Sequence, residues 1–173
     1  MGVFAESLAW AAARTRAYAE RLLKGIEAGS FARRARVGGV TVESNHPAFV
    51  FGHLSLYPAR VMRICGLDAR GVEPPAGFEE LFRNGVPCVD DPEGRVYPAM
   101  ERITRAYFDG TDGVLRAIGG LEDAAFARVN PDERYRELFP TVGQAAVFLL
   151  NNHAAMHLGQ VSVWRRCMGL GPA

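Results

Sequence analysis

Lysine is almost missing from this 173-residue sequence: Lys24 is the only one, and the other nineteen of twenty basic side chains are arginine. That bias reflects coding composition and not function. An excess of either charge is missing too, since nineteen acidic residues leave a formal charge of +1. Proteins that coat nucleic acid or dock on anionic membranes need a clustered basic surplus, so both partner classes are excluded. Cysteine is sparse. Cys65, Cys88 and Cys167 are an odd set with no C-x-x-C pair, which excludes a disulfide scaffold and fits reduced thiols in a cytoplasm. Long apolar runs are lacking: Leu8 to Ala13 and Ala145 to Leu150 fall far short of the roughly 18 residues a membrane span needs. Glu6 stands where a secretory leader requires positive charge and where a myristoylation signal requires Ser or Thr. The expectation is a cytoplasmic protein with no membrane partner.

What is present describes one ordinary domain spanning residues 1–173, 49% apolar and 23% charged, without repeats or low-complexity tracts. Apolar residues from Phe4 to Ile26 recur every three or four positions, predicting an amphipathic helix that ends near Gly29. Residues 31–45 read as a surface connection in which Val40 and Val42 add a short extended piece. Proline at the first helical position starts a second helix at Pro47, running to about Cys65 with Gly66 as its stop and bent by Pro58 just after His53. Residues 66–97 carry so many prolines and glycines that they read as a long crossover, with helical turns at Phe78 to Phe82. A third helix begins at Pro98 and is weakened around Gly110 and Gly113. The fourth opens at Thr141, where Thr141-Val142-Gly143-Gln144 has the spacing of a capping box, and stops at Gly169. The predicted class is all-α: a four-helix bundle with a long crossover between the second and third helices.

Only four histidines occur, and three fall on inner helix faces. His153 and His157 are four residues apart, about 40° around the helix, so both project from one stripe. Leu149, Met156, Gln160 and Trp164 surround that stripe and predict that it faces inward. His53 holds an inner position between Val50 and Tyr57 on the second helix. Two readings follow: a divalent metal held by His53, His153 and His157 with positions left for water or substrate, or core histidines satisfied by backbone carbonyls. His46, just before Pro47, is assigned to capping or to a pocket mouth. Ala154 after His153 excludes a zincin protease, and only one Glu-x-x-His, Glu43 to His46, excludes a di-iron carboxylate bundle. Tyr57 and Gln160, each one turn past a histidine, are the catalytic candidates, set against ordinary packing. Asn152 is placed at the pocket edge, and the cysteines are read as small hydrophobes.

The runs Asn45-His46-Pro47-Ala48-Phe49-Val50-Phe51-Gly52-His53-Leu54 and Asn152-His153-Ala154-Ala155-Met156-His157-Leu158-Gly159-Gln160, with Trp164-Arg165-Arg166 and Gly169, resemble the DinB/YfiT-like metalloenzyme superfamily over nearly the whole chain. The resemblance implies a four-helix bundle, often dimeric. It also implies a divalent metal held at the positions matching His53, His153 and His157; three imidazoles accept zinc, nickel, iron or copper, with zinc or nickel expected first and iron next. Relatives include thiol transferases and a mycothiol-dependent isomerase. The implied activity is therefore transfer of a low-molecular-weight thiol to a small electrophile. A metal-dependent hydrolase and a non-catalytic metal- or ligand-binding bundle of a stress response are the alternatives.

Overall fold

The computed structural model describes residues 2–173, and most of them are helical. The first helix, α1 (Val3–Leu23), ends six residues short of Gly29 because Gly25 takes a left-handed conformation (φ +76°), which closes the helix immediately after Lys24. One helical turn, α2 (Ala28–Phe31), buries Phe31. The expected extended piece is a two-residue hairpin, β1 (Arg36–Val37) with β2 (Val40–Thr41), turned by Gly38 and Gly39 at positive φ.

Pro58 divides the second predicted helix in two, α3 (Pro47–Leu54) and α4 (Tyr57–Ile64), separated by Ser55 and Leu56. Proline cannot donate to the Leu54 carbonyl, and Ser55 stabilises the break by donating from its hydroxyl to the Gly52 carbonyl at 2.7 Å. His46 caps α3: Nδ1 accepts from the Phe49 amide at 3.2 Å while Nε2 donates to the Val89 carbonyl at 2.8 Å. The long connection that follows holds a 3-10 turn (Arg70–Val72) and the short α5 (Phe78–Phe82), whose two phenylalanines are buried.

Helix α6 (Met100–Ile118) starts two residues later than Pro98 and runs unbroken through Gly110 and Gly113. These glycines are points of close approach. A Cβ at Gly113 would lie 2.3 Å from Cγ1 of Val72, and one at Gly110 would lie 3.0 Å from Cγ of Pro58. Two short pieces missing from the sequence reading, α7 (Asp123–Ala127) and a 3-10 turn (Glu133–Tyr135), lead to the last helix. The capping box is present at its start: Gln144 N donates to Thr141 Oγ1 (3.3 Å) and Thr141 N donates to Gln144 Oε1 (2.9 Å).

That last helix is not uniform. It comprises α8 (Val142–Val147), a π-helical turn (Phe148–His153) and α9 (Ala154–Cys167). The buried Trp164 donates from Nε1 to the Arg33 carbonyl at 2.7 Å, and the buried Arg165 donates to the Leu22 and Lys24 carbonyls at the end of α1. Helix α6 packs on α1, α3 and α4, and α9 packs on α1 and α3.

Buried apolar side chains form two clusters. One contains Phe51 and Leu54 of α3 with Ala154, Leu158 and Trp164 of α9; the other contains Val61 and Ile64 of α4 with Val142, Ala146 and Leu150 upstream of α9. Both long elements therefore pass from one cluster to the other, α3 to α4 just after Leu56 and the last helix at its wide turn. His53 and His153 lie at those crossings. No helix among the described residues is long and apolar enough to cross a membrane.

Candidate metal centre

His53, His153 and His157 converge, with one ring nitrogen from each lying within 4.8 Å of the others. His53 and His153 are buried and His157 is half-buried. The ring centroids are 4.6 to 5.1 Å apart, and Nε2 of His53 is 3.2 Å from Nε2 of His153. A tetrahedral zinc with bonds of 2.0–2.1 Å sets its nitrogen ligands about 3.4 Å apart. The cluster therefore has the right scale.

Hydrogen bonds behind two of the three rings fix which of their nitrogens face inward. His53 donates from Nδ1 to the Phe82 carbonyl at 2.7 Å, so its Nε2 carries a lone pair. His157 donates from Nδ1 to Gln160 Oε1 at 3.1 Å, and that oxygen also accepts from Asn45 Nδ2 at 3.1 Å. His153 is held by the wide turn, and its Nδ1 is buried without a partner. With the His153 proton on Nδ1, three lone pairs converge and only the Tyr57 hydroxyl, 3.1 Å from His53 Nε2, is available to share among them. One cation satisfies all three, so the donor set fits a metal.

Burial is the main cause that holds the rings uncharged. It lowers His53 to about 4, helped by the charges of His157 and Arg60 and opposed by the Phe82 carbonyl. It lowers His153 to about 3, again with His157, His53 and Arg60 contributing. His157 is lowered by the same desolvation and partly restored by Gln160. Metal binding requires neutral imidazole, which these surroundings maintain well below pH 7.

The centre opens on a cavity of about 560 Å³. Leu56, Ile64, Phe139, Phe148 and Leu149 form its apolar walls, with Arg60, Glu79, Arg83, Asn84, Asn130 and Tyr135 as the polar ones. The sequence reading placed His53, His153, His157 and Tyr57 in one space, and the structure brings them together; Gln160, expected to face the same space, does not line the cavity and instead supports His157 from behind. Asn152 does not line this cavity; it faces Trp10 and Arg14 on an outer groove. Arg60 was missed, although His53, Tyr57 and Arg60 at positions i, i+4 and i+7 mark one helix stripe. Arg83 and the Phe82 carbonyl come from the irregular connection, which carries no periodic signal. Cys65 and Cys88 are buried, and burial pushes the Cys65 thiol up to about 11 and the Cys88 thiol in the same direction, so both stay protonated. No family model, curated protein or solved structure matches this chain.

Proposed function

We propose that this chain is a metal-dependent enzyme of the DinB-like type, a four-helix bundle with a long crossover, that transfers a low-molecular-weight thiol to a small electrophile. The observation that carries the reading is the three-histidine cluster opening on a cavity large enough for a small substrate. Zinc or nickel, then iron, suits three imidazoles. Such a cation keeps its full positive charge among neutral ligands and supplies the field that lowers the pKa of a thiol or water beside it.

The chain's own residues supply the rest. Phe82 and Gln160, holding the outer nitrogens of His53 and His157, fix ring orientation. Burial raises the pKa of Tyr57 even against the opposing charge of Arg60, so its hydroxyl keeps its proton at neutral pH and can donate to a developing negative charge. The apolar wall of Phe139, Phe148 and Leu149 excludes water from the reacting groups. A homodimer in the cytoplasm is part of the same proposal.

Elemental analysis of the purified protein, followed by a panel of thiols with a haloaromatic electrophile, tests it. About one metal per chain is expected, lost in His153→Ala together with conjugation. Metal-free protein that conjugates equally well refutes the reading, and turnover without added thiol reassigns the chemistry to hydrolysis.

A further inference from the structure

We propose that the cavity selects substrates bearing an oxyanion, carboxylate or phosphoryl, on an apolar body, and that Arg60 reads that anion. The proposal rests on reading the cavity as the substrate site, and it adds the substrate's chemical class.

Arg60 is half-buried on α4, with its guanidinium carbon 5.0 Å from the centroid of the Tyr57 ring. The neighbouring arginines on this side are neutralised by their own acids, Arg63 by Glu73 and Arg134 by Asp132. Arg60 makes no hydrogen bond or ion pair to any described residue; its guanidinium lies over the tyrosine face, and its charge acts on Asp132 across the second cavity. With no protein acceptor and none of its nitrogens sealed from solvent, the guanidinium is open to a ligand, and a bidentate oxyanion matches its fork best. Stacking on Tyr57 holds the fork in place beforehand, which lowers the ordering cost of binding.

Position supports the same reading. A second cavity of about 580 Å³ adjoins the first and shares Leu56, Arg60, Ile64 and Glu79 with it, so Arg60 stands where the two join. Tyr57 spans the gap between this guanidinium and the histidines, its hydroxyl lying 3.1 Å from His53 Nε2. An anion held by Arg60 is therefore one aromatic ring away from the metal centre. Arg83, also without an acid partner, faces the first cavity, and Glu79 is the one carboxylate among its lining residues, so two guanidiniums outweigh one acid. Ile64, Phe148 and Leu149 provide the apolar contact for the rest of the molecule.

The test uses the whole chain, stripped with a chelator at pH 7.5 so that no cation but arginine can hold the anion. Calorimetric titration compares 2-naphthoate, 2-naphthyl phosphate and the neutral 2-naphthylmethanol. At least one anion is expected to bind about tenfold or more tightly than the alcohol, and which of the two leads identifies the oxyanion. Arg60→Met is expected to weaken the anions roughly 10- to 100-fold and leave the alcohol unchanged, with Arg60→Lys in between. Equal binding of alcohol and anions by the unmodified protein overturns the proposal without recourse to any variant, and so does full anion affinity in a folded Arg60→Met. Metal reloading is measured separately. Protein that discriminates anions but takes up no metal sinks the metal reading and leaves this one standing.

Discussion

Adding one methyl group at Gly52 tests how the long connection holds the histidine cluster. Gly52 precedes His53 inside α3, where alanine normally gains about 0.5–1 kcal/mol over glycine. Here a Cβ would lie 2.4 to 2.5 Å from three ring atoms of Phe82, a separation that real side chains do not tolerate. The ring must move by about 1 Å, and it belongs to the residue whose carbonyl accepts from His53 Nδ1 at 2.7 Å. Overpacking of this kind costs about 1–3 kcal/mol, so the clash outweighs the propensity gain and the net sign is destabilising. Set against the propensity gain, the net loss is up to about 2.5 kcal/mol, which for a chain of this length lowers the melting temperature by up to roughly 10 °C. Loss of the bond that orients a ligand costs about 10- to 100-fold in metal affinity. Thermal melts and a competitive zinc titration of Gly52→Ala read both effects. A second arm uses Phe82→Val, which removes the clashing ring: Gly52→Ala should cost less in that background, with a coupling of about 0.5–3 kcal/mol. Unchanged melting and unchanged zinc affinity in Gly52→Ala would refute the reasoning.

Acid should begin to weaken the metal-free protein at a pH above the range in which carboxylates titrate. Unfolded imidazole protonates near pH 6.5, whereas native His53 and His153 resist until about 4 and about 3, so the unfolded chain binds more protons in between. Stability is full above pH 6.5 and falls toward pH 4, by up to about 1.4 kcal/mol per pH unit for each histidine, which urea melts in chelator measure; a flat profile over that window contradicts it. Tyr57→Phe keeps the ring that packs on His153 and removes only the hydroxyl. Turnover should drop about 10²-fold or more while metal stoichiometry stays at the unmodified level, as kinetics paired with elemental analysis will show. Thr141→Ala removes the capping box far from the histidines and should cost about 1 kcal/mol in urea unfolding with zinc affinity unaffected.

Helical periodicity made the long elements legible, because burial of a stripe every three or four residues is a local rule. The capping box at Thr141 and the cap at His46 were legible for the same reason. The histidine cluster was legible as far as each ring's helix face was. What the pattern hid was contributed by residues distant in sequence: the Phe82 carbonyl reaches His53 from the end of a five-residue helix, and the Val72 side chain approaches Gly113 so closely that an apparent helix weakness is a packing requirement. The π turn did leave a trace. Ala146, Leu150, Ala154 and Leu158 are buried at strict four-residue intervals, a spacing that drifts about 40° per step around an α-helix and is corrected by one wider turn. Average periodicity conceals that excess.

The wide turn has a further consequence. One surplus residue between Val147 and Ala154 sets a phase offset of about 100° between the two halves of a single rod. The upstream half keys itself to the second core cluster, while His153 closes the turn and His157 follows it in the downstream half, so deleting Asn151 or Asn152 leaves a straighter, more regular helix with only one half in register. Whichever half keeps its place, the other faces the wrong way. Regular geometry and a converged histidine cluster are mutually exclusive in this segment, and the irregularity is the gearing that lets one continuous helix serve both.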